Sequence, residues 1–142
     1  VHSFGKYVFD SCEKLQSITL PSSILSISNG MFRYCSSLES IEIPEGVITI
    51  GKGAFSYCTS LKGINVPSTV TTIKDHAFSC CESLESITLP NSVLIVDSSL
   101  FYRCKGLKSV VLPDALTSIS DWMFCSCSSL ETVVIPSKCT YI

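Results

Sequence analysis

Charge is scarce in this chain of 142 residues: 15% are Asp, Glu, Lys or Arg, and twelve acids against ten bases leave a formal net charge of −2. Ten bases and a pI near 5.6 exclude the concentrated basic stripe that holds nucleic acid. Histidine is scarcer still: His2 and His76 are too few for a catalytic or metal cluster. No apolar run approaches the ~18 residues that a membrane-spanning helix needs, so this segment is not expected to insert directly into a membrane, and no secretory signal opens it. There is no GxSxG, no HExxH and no phosphate-cradling glycine loop. The carboxylates are scattered, with no pair in an apolar setting that would raise a pKa. No enzyme activity, cofactor or metal is expected from these residues. What is present is a 46% hydrophobic share, and a polar complement dominated by 26 Ser and 10 Thr. That balance excludes intrinsic disorder and suits one folded domain over 1–142. The chain begins at Val1 rather than Met, so a processed product or a piece of a longer chain is expected.

The dominant feature is a repeat. All six prolines, Pro21, Pro44, Pro67, Pro90, Pro113 and Pro136, are spaced 23 residues apart. Cys12, Cys35, Cys58, Cys81, Cys104 and Cys127 keep the same step, as do Phe9, Phe32, Phe55, Phe78, Phe101 and Phe124. Three residue types locked to one period without an insertion specify a solenoid; 23 lies within the leucine-rich-repeat range, and propeller blades need about 40 residues. The organisation is a partial repeat over 1–11, full repeats starting at Cys12, Cys35, Cys58, Cys81 and Cys104, and a partial repeat over 127–142.

One unit shows how the repeat folds. In Ile41-Glu42-Ile43 apolar and polar residues alternate, which predicts a half-buried strand. Pro44 ends it, having no N–H to give to a ladder. A second apolar pair follows at Val47 and Ile50, and the stretch from Gly53 to Cys58 suits one tight helical turn. Eight apolar side chains per unit cannot be buried by that unit alone, but stacking makes one continuous core.

The pattern C-x2-L-x2-I-x-[LIV]-P-x2-V-x2-I-x3-[AM]-F-x2-C, seen in CSSLESIEIPEGVITIGKGAFSYC and CESLESITLPNSVLIVDSSLFYRC, resembles the BspA-like, or treponemal-type, leucine-rich repeat. The family's frequent glycine after the second Ile is matched only at Gly5 and Gly51, against Ser28, Lys74, Asp97 and Ser120. The resemblance implies a leucine-rich-repeat solenoid of about six stacked repeats. A parallel sheet would line the concave face, with short strands and helical turns on the other side. It also implies a non-enzymatic protein-recognition module of a cell-surface or extracellular protein, with host or matrix proteins as partners.

The six repeat cysteines are expected to stack near the ~4.8 Å strand spacing, with Cβ atoms too far apart for disulfides. They read as a reduced ladder of small hydrophobes. Cys139 falls in a Val-like core position, whereas Cys80 and Cys125 fall outside the apolar columns, where either could be a reactive surface thiol. His76 lies four residues before Cys80 but reads as a solvated loop residue.

The surface columns carry the functional expectation. Four residues after each repeat cysteine stand Gln16, Glu39, Lys62, Glu85, Lys108 and Glu131, alternating in sign to give a neutralised strand face unsuited to polyanions. Seven residues after it stand Thr19, Glu42, Asn65, Thr88, Val111 and Val134, pointing outward. Val111 and Val134, flanked by Lys108 and Glu131, form the candidate protein-binding patch, and Trp122, in an exposed column with Tyr7 and His76, is a further candidate. The alternatives are a structural spacer or self-assembly element joined end to end, since neither end reads as a polar cap, and an intracellular scaffold consistent with reduced cysteines.

Overall fold

The computed structural model describes residues 2–142. Its strands are β1 (Ser26–Ile27), β2 (Thr49–Ile50), β3 (Thr72–Ile73), β4 (Ser86–Thr88), β5 (Ile95–Val96), β6 (Ser109–Val111) and β7 (Thr132–Val134). They form two parallel sheets, ordered β1-β2-β3-β5 and β4-β6-β7. Every pair is in the register of the repeat: Ile27 faces Ile50, and Val110 faces Val133. The six cysteines therefore bracket about five full turns of a β-solenoid with a partial turn at each end, rather than about six.

Each turn carries two strand positions, one at the Ile41–Ile43 alternation and a second short strand such as Thr49–Ile50, as the resemblance implies. The chain bends between them because the Pro44 carbonyl accepts a bond from Val47 N–H (3.1 Å), as Pro67 does from Val70 and Pro90 from Val93. Residues on either side of the outward column point inward: Ile41 and Ile43, or Ile87 and Leu89, are buried.

The other side of each turn corrects the expectation of helical turns: no helix occurs among the described residues. Two left-handed residues per turn prevent one. Tyr7, Gly30, Gly53, His76, Ser99 and Trp122 all sit near φ +60, and so do Ser11, Tyr34, Tyr57, Cys80, Arg103 and Ser126. Alternate amides consequently point along the solenoid axis. Gly30, Phe32 and Tyr34 donate to the carbonyls of Lys52, Ala54 and Ser56 on the next turn at 2.8, 2.8 and 2.9 Å. Met31, Arg33 and Cys35, between them, close three-residue turns onto Ser28, Gly30 and Phe32. A helix would direct all six amides into its own ladder and leave successive turns unconnected on this side.

The core is stacked columns. Phe32, Phe55, Phe78 and Phe101 are fully buried, and the rings from Phe9 to Phe124 stack with centroids 5.5–6.0 Å apart. Burying one Phe stabilises by about 1.5–3 kcal/mol, and ring stacking adds about 0.5–1.5 kcal/mol.

Candidate interaction surface

The cysteine column is the strongest chemical candidate, and the structure buries its middle four members, Cys35 to Cys104. All nine cysteines are free thiols. From Cys35 to Cys127 each repeat thiol donates to the carbonyl of the Phe one turn back: Cys35 to Phe9 at 3.1 Å, Cys58 to Phe32 at 3.1 Å, Cys81 to Phe55 at 3.2 Å, Cys104 to Phe78 at 3.0 Å and Cys127 to Phe101 at 3.0 Å. Burial pushes the Cys35 thiol up to about 11, and it raises Cys58, Cys81 and Cys104 as well. A thiol held protonated is a poor nucleophile. Cys12, at one end of the column, is exposed and Cys127 is half-buried, so the fully buried ladder runs only from Cys35 to Cys104.

Two readings on the turn side are corrected. Cys80 is buried rather than a surface thiol: its short side chain is hydrogen-bonded with the Tyr57 phenol, and its Sγ lies 3.6 Å from Ser79 Oγ. The bond to Cys80 raises the Tyr57 phenol. Cys125, by contrast, is half-buried, 3.7 Å from Ser126 Oγ. His76 is not a solvated loop residue either; it is half-buried, its Nδ1 enclosed without a hydrogen-bond partner and its ring 6.5 Å from Tyr102. Cys139 packs partly buried against the core, as its column implies. Among the described residues no three His, Cys, Asp or Glu side chains converge to hold a metal.

The strand side presents the candidate surface. Val111 and Val134 are register partners on β6 and β7, with 53% and 75% of their surface exposed. Their outward position follows from the pleat, because Val110 points into the core. Backbone bonds from Glu131 to Lys108 and from Lys108 to Glu85 place these side chains on neighbouring turns beside the valines. The Lys108 ammonium is committed to Glu85 at 2.9 Å, so Glu131 stands beside it without closing an ion pair. Alternation along this column closes only pairwise, Lys62 with Glu39 at 3.2 Å and Lys108 with Glu85. Exposed pairs of this kind contribute about 0–1 kcal/mol each. Trp122 is 67% exposed, but it lies in the turn-side column near φ +60, away from the valine strands.

Two surface features escaped the sequence reading. One is an apolar stripe on the β1-β2-β3-β5 sheet, where Leu25, Ile48, Leu94 and Ile95 are each about half exposed. Its signal lies thirteen residues after the repeat cysteines, where Leu25, Ile48 and Leu94 share a column with threonines. The other is on the turn side, where Arg33 is held by Asp10 at 2.9 Å, with its guanidinium 5.1 Å from the Tyr7 ring centre and 5.3 Å from that of Tyr34.

These columns can be compared with known proteins. The profile of the BspA type leucine rich repeat region matches six copies, spanning residues 1–104 and 25–142. A crystal structure of a leucine-rich-repeat protein from T. pallidum is similar at 37% identity and a TM-score of 0.90, over 92% of this chain and 61% of that one. One from Bacteroides ovatus is 35% identical with a TM-score of 0.84, over 92% of this chain and 34% of that one. A leucine-rich cell surface protein from Faecalibacterium prausnitzii is 31% identical with a TM-score of 0.75, over 81% and 30% of the two chains. This chain thus spans less than two-thirds of the length of each. A comparison with curated proteins gave no match. With every turn matched and the fold shared along nearly its whole length, the chain belongs to the BspA-type leucine-rich-repeat family.

Proposed function

We propose that this chain is a non-enzymatic protein-recognition module of a cell-surface protein, binding a host or matrix protein through its β4-β6-β7 face. The observation that carries the reading is the pair Val111 and Val134, exposed side by side where the fold requires no apolar residue. Thr88 fills the same position on β4, so the valines are free of the core. Apolar groups ringed by polar side chains are the arrangement interfaces favour. The Faecalibacterium relative, described as a cell surface protein, supports the location. Proteins of this fold act as interaction modules, and an array of weak sites gains strength by engaging several at once.

The test is binding of the purified chain to a panel of extracellular-matrix and serum proteins, in parallel with a Val111→Lys, Val134→Lys variant. Binding by the parent that drops at least about tenfold in the variant, a loss of about 1.4 kcal/mol, supports the reading. Equal binding by both, or none by the parent, contradicts it.

A further inference from the structure

The net charge of −2 is unevenly placed. On the turn side, seven Lys and Arg stand against six Asp and Glu; on the strand side, only Lys62, Lys108 and Lys138 stand against Glu39, Glu42, Glu45, Glu85, Asp114 and Glu131. Lys62 and Lys108 are already engaged by Glu39 and Glu85. Glu42 and Glu45 are exposed, with no Lys or Arg within ion-pair distance among the described residues. Both line a groove of about 390 Å³ whose other walls include Ile18, Leu20 and Pro44. The groove, lined also by Thr19 and Ser22, therefore sets an apolar wall beside two carboxylates that no Lys or Arg among the described residues compensates. A Lys or Arg side chain fits that combination, its aliphatic stem along the apolar wall and its cation at the acids.

The groove and the valine patch belong to one face. Glu42 occupies the same outward column as Val111 and Val134 and pairs with Asn65 of the next turn. Only uncharged Asn65 and Thr88 lie between Glu42 and Val111 in that column. Three turns at the ~4.8 Å spacing of parallel strands put Glu42 roughly 14 Å from Val111. An extended polypeptide covers that span in about four residues, and side chains four apart point to the same side.

We infer that the β4-β6-β7 face takes a basic, extended segment of a partner protein laid along the solenoid axis. A Lys or Arg enters the groove at Glu42 and Glu45, and apolar side chains four and six residues further on rest on Val111 and Val134. This deepens the preceding reading and rests on it for the valine half of the surface. The face selects against acidic and nucleic-acid ligands, because its unpaired carboxylates repel them.

The probe is the peptide acetyl-Lys-Thr-Ser-Thr-Val-Thr-Val-amide, titrated into the isotope-labelled chain and followed by amide NMR shifts. Expected are shifts at Glu42, Glu45, Val111 and Val134. Binding should weaken about fivefold or more in Glu42→Gln, Glu45→Gln, or when the peptide lysine is replaced by glutamate, and should weaken with added salt. All four positions are exposed, so the variants retain the fold, and the unperturbed core amides verify that directly. A glutamine variant that binds like the parent overturns the cationic groove; if Val111→Thr, Val134→Thr still weakens binding, the valine patch stands alone. If the threonine variant is unaffected and the glutamine variant is not, the valine reading fails. Absence of shifts at millimolar peptide overturns the whole inference.

Discussion

From Gly30 to Leu38 on the turn side, the chain places Phe32 and Cys35 in columns that repeat as Phe55 and Cys58, then Phe78 and Cys81, without exception. The outward strand position does the opposite: Thr19, Glu42, Asn65, Thr88, Val111 and Val134 change charge, size and polarity along the array. Both halves bury the same core, yet they tolerate different things. Each Phe ring from Phe32 to Phe101 stacks on two others, and each thiol from Cys35 to Cys127 is bonded to the preceding turn, so a change there disturbs neighbours above and below. An outward strand side chain lies outside the buried ring and thiol columns, so the core leaves its identity free. Constancy marks the scaffold, and variation marks the surface open to recognition.

Removing a ring is the harshest way to probe that contrast. Phe78→Ala empties a fully buried site between Phe55 and Phe101 and should cost about 3–5 kcal/mol in urea unfolding. Phe9→Ala, at a half-buried end of the stack, should cost distinctly less. Equal losses would contradict nearest-neighbour stacking.

Raising the pH probes the thiol ladder. In the fold Cys58, Cys81 and Cys104 are shifted up by burial from an ordinary value of 9.0. The unfolded chain therefore loses these protons first, and the stability that is fully present below pH 9 declines above it. Each shielded thiol should withdraw up to about 1.4 kcal/mol per pH unit there. Urea midpoints measured at pH 8 and pH 10 check this, and a flat profile would mean that the thiols are not shielded. Cys81→Ala removes one rung and leaves the Phe55 carbonyl with one donor fewer; a loss of about 1–3 kcal/mol is expected in the same urea assay.

The strand side should respond least. Val111→Lys with Val134→Lys should leave the unfolding free energy within about 0.5 kcal/mol of the parent at each position. A larger loss would return these valines to the scaffold.

Much of this was legible in the sequence, because an uninterrupted 23-residue period forces strand register and identifies the core columns before any coordinates. The left-handed turns were not. Glycine fills that position only at Gly30 and Gly53, while Tyr7, His76, Ser99 and Trp122 hide the same φ in ordinary side chains. Gly30 has a packing reason as well, since a Cβ there would enter the Tyr7 ring. The burial of Cys80 was missed for a different cause: it shares the left-handed backbone of exposed Tyr34 and Tyr57, and only its short side chain, lying against Ser79 and Tyr57, is covered. In the surface patch, period-two alternation exposed Val111 and Val134 to the reader, but the groove at Glu42 and Glu45 arises from space between successive turns. No single column encodes it.

The contrast between the two sides can be measured within one turn by replacing residues 74–96 one at a time with alanine, and Ala77 with serine, and recording each urea midpoint. Losses should concentrate at inward Phe78, Cys81, Leu84, Ile87, Leu89 and Val93, with little change at outward Thr88, Leu94 and Ile95. Losses at Thr88, Leu94 and Ile95 as large as that at Phe78 would contradict the contrast.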